Sequence, residues 1–126
     1  MYEALVKGNP NQVIALNNLA LLYLEENDAR AQITAEQAYK LKPGSPEVAD
    51  TLGWVLLQLG DPKKGIEMLQ KASSLSKSNP EIHYHLAVAF AKTGDSAQAR
   101  RELQKLLASG TPFAQRQAAL KLLESL

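Results

Sequence analysis

The sequence predicts an all-α fold, a right-handed superhelical solenoid of antiparallel helix pairs with a C-terminal capping helix. Three observations predict it. Leu52-Gly53 is followed by Leu86-Ala87 after 34 residues, and Gly60-Asp61 is followed by Gly94-Asp95 at the same spacing. A fixed period of this length is typical of one helix-turn-helix unit used repeatedly. Alanine and leucine dominate the composition and β-branched residues are few, which favours helix over strand.

Start and stop signals divide the chain into helices. Four short polar residues each precede a proline, in the order that places an N-cap before a proline at the first helical position: Ser45, Asp61, Asn79 and Thr111. Three glycines stand where helices should end, because glycine accepts the left-handed conformation after a helix: Gly60, Gly94 and Gly110. The predicted helices span residues 11–26, 29–41, 46–59, 62–75, 80–93, 96–108 and 112–125. Their short connections predict antiparallel packing of consecutive helices.

Two sets of aligned positions give the repeat boundaries. Small residues lie 34 residues apart in the predicted second helices, at Ala31, Gly65 and Ala99. Leucines align the first helices, at Leu19, Leu52 and Leu86. The first of these intervals is 33, and we expect the missing residue between Asp28 and Ala31. The predicted organisation is the tail of a preceding repeat in 1–10, repeats in 11–44, 45–78 and 79–110, and a capping helix in 111–126.

The N-terminal end of this arrangement is expected to expose apolar surface. If residues 1–10 are the tail of a repeat cut in mid-helix, Val13 and Leu16 lose the neighbours that would cover them. An exposed apolar patch of this kind favours association, so self-association through this end is expected.

Composition and motifs exclude several classes of function. The 14 basic and 13 acidic side chains leave a net charge of +1, which predicts no nucleic-acid partner. Cysteine is absent, and this excludes a disulfide framework and a thiolate metal site. No apolar run reaches the roughly 18–20 residues that span a bilayer, so we expect no direct membrane insertion by this segment. There is no phosphate-binding glycine loop, G-x-S-x-G or H-E-x-x-H motif. We predict a non-enzymatic chain without cofactor or metal.

The repeated unit resembles the tetratricopeptide (TPR) pattern W-x₂-L-G-x₂-Y…A-x₃-F…P. Matching residues occur in three successive units: Leu19, Ala20, Tyr23 and Ala31, then Leu52, Gly53, Gly65 and Leu69, then Leu86, Ala87, Phe90, Ala99 and Leu103. The chain departs from the pattern at the first aromatic position, where Leu16, Ala49 and His83 stand. The resemblance implies a solenoid with a concave surface of the kind that binds other protein chains.

Four segments resemble a narrower family, the C-terminal repeats of the PEP-CTERM system TPR-repeat lipoproteins. They are Leu16-Asn17-Asn18-Leu19-Ala20, Asp50-Thr51-Leu52-Gly53-Trp54, Pro80-Glu81-Ile82-His83-Tyr84-His85-Leu86-Ala87 and Ser109-Gly110-Thr111-Pro112-Phe113. Leu21 departs from this family, which often has tryptophan there. The resemblance implies a lipid-anchored parent protein facing the periplasm of a bacterial envelope, encoded beside exosortase and exopolysaccharide machinery.

The TPR resemblance also selects candidate binding residues. In a TPR stack, the first helix of each repeat lines the concave face, with side chains pointing inward at fixed offsets from the motif leucine. The selected residues are Asn17, Asn18 and Leu21, then Asp50, Thr51, Trp54 and Leu57, then Tyr84, His85 and Val88. A mixed amide, aromatic and aliphatic stripe suits an extended peptide or an amphipathic helix.

Several of these residues have alternative interpretations. Trp54 is either a binding anchor or a wedge that only stabilises the contact between repeats one and two. Asn17 either clamps a peptide backbone or is simply solvated. His83 and His85 point about 200° apart on a helix, so they cannot share one metal ion; we expect one packed and one groove histidine. Asp50 would repel a carboxylate, which argues against a groove for C-terminal carboxylates.

These observations predict a non-catalytic scaffold that binds a protein or peptide segment on its concave face. The family resemblance implies a setting in envelope exopolysaccharide or exosortase-associated assembly. The alternatives are a structural C-terminal cap and a self-association module of a longer TPR solenoid.

Overall fold

The computed structural model describes residues 10–126, and over this range it contains seven α-helices and no strand. They are α1 (Pro10–Glu25), α2 (Arg30–Leu41), α3 (Pro46–Leu59), α4 (Pro62–Leu75), α5 (Pro80–Lys92), α6 (Ser96–Ala108) and α7 (Arg116–Ser125). Three helix pairs, α1–α2, α3–α4 and α5–α6, stack in chain order, and α7 packs against α6. The all-α solenoid is confirmed. Residues 1–9 of the segment assigned to a preceding repeat lie outside the described residues, and Pro10 is the first residue of α1.

Side-chain caps start the middle helices where the sequence predicted them. The Ser45 hydroxyl accepts a hydrogen bond from the backbone N–H of Val48. The Asp61 and Asn79 side chains accept from the first backbone N–H groups of α4 and α5. Each satisfies a donor that has no partner within the helix, and the proline that follows lacks an N–H to satisfy.

The last helix begins later than predicted, at Arg116 rather than residue 112. The Ser109 hydroxyl accepts from the backbone N–H of Thr111, so the chain turns here and Thr111 caps no helix. Phe113 packs on the apolar cluster of Ala87 and Leu103. Burial of this aromatic ring holds residues 111–113 outside the helix, which a local capping pattern does not reveal.

Two of the three glycines predicted to end helices have a left-handed backbone conformation. Gly94 and Gly110 have φ of +90° and +71°, whereas Gly60 has φ of −122°. Only two residues separate α3 from α4, so Asp61 caps α4 immediately and no left-handed turn intervenes. Gly60 instead permits a close approach, because a Cβ there would lie 2.8 Å from Oε1 of Gln32.

The first connection contains the predicted one-residue shortening. Asp28 N–H donates to the Tyr23 carbonyl as Asp95 N–H donates to that of Phe90, so the two turns correspond up to this aspartate. After it, Ala31 follows at three residues instead of four. Ala31 N–H donates to the Asp28 carbonyl, an i→i+3 bond that takes up the missing residue at the start of α2.

Small residues set the distance between the helices of each pair. In the middle pair, a Cβ on Gly65 would lie 2.9 Å from the carbonyl oxygen of Gly53 and 2.9 Å from the backbone nitrogen of Leu57. α3 and α4 are therefore in backbone contact. The first and third pairs have buried alanines at the corresponding positions: Ala20, Ala31, Ala87 and Ala99.

The N-terminal end differs from the expectation. Val13 and Leu16 are buried against Ala38 and Val48, because α2 and α3 cover them within the stack. Ile14, Leu21 and Leu22 are exposed apolar side chains at this end; Ile14 and Leu22 expose 60% and 54% of their surface.

Candidate protein-binding groove

The first helices of successive pairs touch one another, α1 with α3 and α3 with α5. This places them on one side of the stack, where the predicted binding stripe lies. Asn17, Asp50 and Tyr84 occupy the same position in the three helices, two residues before the motif leucine. We call this surface the first-helix groove; it comprises the accessible side chains of α1, α3 and α5 on this side.

A cluster of three side chains joins the second and third pairs in this groove. Nδ1 of His85 lies 2.8 Å from Oδ1 of Asp50, and both side chains are 15% exposed. The imidazole also stacks on the Trp54 ring, with 4.1 Å between ring centroids and 23° between planes. Asp50 fixes the plane of the imidazole, and the imidazole in turn supports one face of the indole.

A second polar contact lies further along the same two helices. Nζ of Lys92 donates to Oε1 of Gln58 over 2.9 Å. The groove between α3 and α5 is therefore bounded by a carboxylate–imidazole contact at one end and an ammonium–amide contact at the other. Trp54 and the half-buried Val88 lie between them in sequence.

The predicted site residues differ in accessibility. Asn18 and Leu21 are exposed, and Asp50, Trp54, His85 and Val88 are partly buried with surface remaining. Thr51 and Leu57 are 4% and 5% exposed, so they offer a ligand little surface in this structure, and their part in binding stays a prediction. Leu57 packs with Leu69 and Leu86 at the junction between the second and third pairs.

Two other predicted residues are partly buried in the fold. Tyr84 packs on the cluster that α7 forms with the third pair, and this burial raises the pKa of its phenol. Oδ1 of Asn17 is buried and has no hydrogen-bond partner among residues 10–126. This oxygen would take part in the backbone clamp predicted for Asn17 only if the side chain turned, and the clamp stays a prediction.

Trp54 stabilises a different junction from the one expected. Its ring stacks on His85 and packs on the cluster of Leu57 and Leu86, so it joins pairs two and three rather than one and two. The sequence indicates this junction, because the repeat pattern places Trp54 and His85 on the neighbouring first helices of pairs two and three.

The two histidines have separate environments, as the helical geometry requires. Nε2 of His83 lies 2.6 Å from the carbonyl oxygen of Lys77, while His85 lies in the groove. No group of three or more histidine, aspartate or glutamate side chains suited to a metal ion occurs within residues 10–126. None of the helices described is long and apolar enough to cross a membrane.

Sequence reasoning missed an open cleft of about 500 Å³ between the second and third pairs. It lies between the last turns of α4 and α6, and its lining includes Ser73, Lys77, His83, Glu102 and Lys105. The 34-residue spacing could have indicated this cleft, since it aligns the small Ser73 with the large Tyr39 of the first pair.

Comparison with known families agrees with this architecture. A sequence profile described as Tetratricopeptide repeat matches residues 56–124, more than half of the chain, and a second profile of the same description matches residues 1–46. The chain belongs to the tetratricopeptide repeat family.

Curated relatives are larger proteins. Cellulose synthase operon protein C of Komagataeibacter sucrofermentans is 28% identical over 127 aligned positions, which cover 94% of this chain and 9% of that protein. The protein of the same name from Pseudomonas fluorescens is 30% identical over 79 positions, covering 62% of this chain and 6% of its own length. The TPR chain thus spans about a tenth or less of the length of these relatives.

Solved structures share the fold. The type III secretion translocator chaperone SycD of Yersinia enterocolitica superimposes with a TM-score of 0.80 at 18% identity, covering 94% of both chains. MamA superimposes with a TM-score of 0.70 at 22% identity, covering 85% of this chain and 63% of MamA. SycD has also been solved with a peptide of the translocator YopD. At these identities the likeness shows the TPR fold alone.

Proposed function

We propose that this chain is a non-catalytic interaction module that binds a peptide or protein segment along the first-helix groove. The observation that carries the proposal is the Asp50–His85–Trp54 cluster, which holds polar and aromatic groups at the surface of a groove between two repeats. Its contact residues are Asn18, Leu21, Asp50, Trp54, His85 and Val88. An aromatic anchor beside hydrogen-bonding groups suits recognition of an extended segment.

The cluster gives the groove a preorganised centre. Because His85 is bonded to Asp50 and stacked on Trp54, these side chains lose little conformational freedom when a ligand binds. Asp50 retains a second carboxylate oxygen, which would accept a hydrogen bond from the backbone or side chain of a ligand. The fold neighbour SycD, solved with a peptide, supports this mode of binding for a TPR chain of similar size.

We further propose the repeat boundaries 11–44, 45–78 and 79–110, with 111–126 as a cap, and an envelope setting. The relatives named cellulose synthase operon protein C support a role in exopolysaccharide assembly. The resemblance to PEP-CTERM system lipoproteins extends this setting to exosortase-associated assembly and to a lipid-anchored parent protein facing the periplasm.

Site-specific photocrosslinking would test the groove. A photoreactive phenylalanine analogue replaces Leu21 or Val88 in the groove, and Ile33, which is 61% exposed on α2, serves as the matched control. The variants are expressed in the producing bacterium, and adducts are identified by mass spectrometry. Adducts that form from the groove positions and not from Ile33 are expected. Equal adducts from all three positions, or none from the groove, would refute groove binding.

One observation favours assembly as a second candidate function. Leu22 is 54% exposed, although the corresponding residues Val55 and Ala89 are fully buried. Val55 packs on Ala31 and Ala35 of α2, the second helix of the preceding pair. The outer face of α1 therefore has the shape that fits the second helix of another TPR unit, and in the isolated chain we propose a second copy as its occupant.

Light scattering over a concentration series would test this association. The wild-type chain should form a dimer that the substitution Leu22→Lys abolishes, because a charge cannot be buried there without a partner. Lys64→Glu, an exposed change on α4, is the control. A monomer at every concentration would remove self-association and leave a capping role, with α7 covering Ala87 and Leu103 of the last pair.

A further inference from the structure

The cleft between the second and third pairs is polar and open. The cleft has a volume of about 500 Å³. Its walls combine hydroxyls from the end of α4 with charged side chains from α6. Lys77 and Lys105 stand on either side, and neither ammonium group forms an ion pair with another residue in the described part of the chain. The cleft is separate from the first-helix groove, since its walls come largely from the second helices.

The first junction shows what fills this space in the preceding repeat. Tyr39, 34 residues before Ser73, packs its ring on the cluster that contains Ala49 and Ala72, and Met68 packs on the same cluster. Lys71 lies over this ring, with its ammonium nitrogen 4.7 Å from the centroid, and donates a hydrogen bond to the tyrosine hydroxyl. The first junction is thus closed by a hydroxyl-bearing six-membered ring beneath a lysine.

The second junction lacks that ring and keeps the lysine. Serine replaces the tyrosine at position 73, and Lys105 occupies the position of Lys71. Of the apolar residues at the first junction, Met68 corresponds to Glu102 and Ala49 to His83, whereas Ala72 corresponds to Leu106, which is also apolar and lines the cleft. The second junction is therefore open where the first holds a ring, and its lining has polar groups beside the apolar Leu106.

His83 and Glu102 define part of that requirement. Nε2 of His83 lies 2.6 Å from the carbonyl oxygen of Lys77, which can only accept, so this nitrogen carries the proton that it donates. In the neutral ring, Nδ1 is then an acceptor, and it lies 3.9 Å from Oε2 of Glu102, another acceptor. A hydroxyl placed at these two atoms would donate to one of them.

We propose that the cleft binds a carboxylated sugar ring, a hexuronate unit of an acidic saccharide. The open cleft provides the space for the pyranose, and Glu102 and Nδ1 of His83 accept from its hydroxyls. The unpaired ammonium groups of Lys77 and Lys105 pair with its carboxylate. A neutral sugar would fill the cleft but would not pair with the lysines. A carboxylate without a ring would pair with the lysines but would not fill the cleft, so each should bind more weakly than the hexuronate.

Amide NMR titration of the chain with sodium D-glucuronate tests the proposal. Resonances of Ser73, His83 and Lys105 should shift with a dissociation constant on the order of 1 mM, as expected for a ligand of this size. D-glucose and sodium acetate are the matched probes for the ring alone and the carboxylate alone. Each should bind about tenfold or more weakly.

Two variants separate cleft binding from general effects. Ser73→Tyr copies Tyr39 and places a ring beneath Lys105, so it should fold normally and lose glucuronate binding. Ser73→Ala keeps the cleft open and should retain binding. Lys105→Gln should weaken glucuronate binding while Lys77 keeps part of the preference over glucose, and it provides the test should the tyrosine variant fail to fold.

Several outcomes would overturn the proposal. Equal affinity for acetate would show a carboxylate site, such as that for an acidic peptide, and equal affinity for glucose would show that the lysines take no part. Undiminished binding by Ser73→Tyr, or no shift in these resonances at about fifty times the expected dissociation constant, would show that the cleft takes no sugar ring.

Discussion

Replacing Gly65 with alanine should destabilise the chain by about 1 kcal/mol. The new Cβ would lie 2.9 Å from the carbonyl oxygen of Gly53 and from the backbone nitrogen of Leu57, and 3.2 Å from Cα of Leu57. These are backbone atoms, so no side-chain rotation relieves the contact and α3 and α4 must separate. Overpacking costs about 1–3 kcal/mol, and the better helix propensity of alanine offsets about 1 kcal/mol of this.

Urea unfolding followed by far-UV circular dichroism measures the effect. The midpoint concentration should fall at an unchanged m-value, and thermal unfolding should shift down by about 4 °C. Gly44→Ala is the matched control, because no heavy atom lies within 4 Å of its Cβ position and its φ is not left-handed. We expect that control to be neutral or to stabilise by up to about 1 kcal/mol.

A double variant sharpens the test. Alanine at both Gly53 and Gly65 recreates the alanine pair of the first and third repeats. Once the helices have separated for one Cβ, the second costs less, so the double variant should lose less stability than the sum of the single changes. A Gly65→Ala chain as stable as wild type would refute the argument, since it would mean that the helices separate without cost.

Three further predictions concern a cap and two titrating groups. Asn79→Ala should cost about 1 kcal/mol in urea unfolding, because two N–H groups of α5 lose their acceptor, while Asn79→Asp should retain stability. Burial raises the pKa of the Tyr84 phenol. The stability that the neutral phenol contributes is therefore complete below about pH 10 and is lost as the pH rises through the folded-state pKa. The difference in phenolate absorbance between wild type and Tyr84→Phe should appear at a pH above the usual titration range of tyrosine. The hydrogen bond from the Arg30 side chain lowers the pKa of Asp28. The stability that this pair contributes is therefore present above about pH 4 and is lost as the pH falls through the folded-state pKa. NMR titration should show the Asp28 pKa rising toward its normal value in Arg30→Ala, and no rise would contradict the pairing.

The sequence could predict the fold because its signals are local and repeated. Ser45, Asp61 and Asn79 act within one turn of their own position, so a capping pattern identifies them. The start of α7 could not be predicted in this way. Phe113 is held by residues of the third pair that are distant in sequence, and this contact overrides the local signal of Thr111-Pro112.

The sequence predicted the position of the candidate groove better than it predicted which of its side chains are accessible. Offsets from the motif leucine selected Asp50, Trp54 and His85 correctly as neighbours on one side of the stack. The same offsets selected Thr51 and Leu57, which are buried, because the junction between repeats closes over them. Whether a stripe residue remains accessible depends on the size of side chains one repeat away, and a single repeat does not contain this information.

The replacement of Tyr39 by Ser73 in the next repeat bears on how such a chain can diversify. Each junction of a solenoid depends only on its immediate neighbours, so losing one ring leaves the other junctions intact. Lys105 therefore lacks the aromatic partner that Lys71 has at the corresponding position of the preceding repeat. Gene duplication followed by one substitution can in this way create a chemically distinct niche, and every additional repeat offers an independent opportunity for the same change.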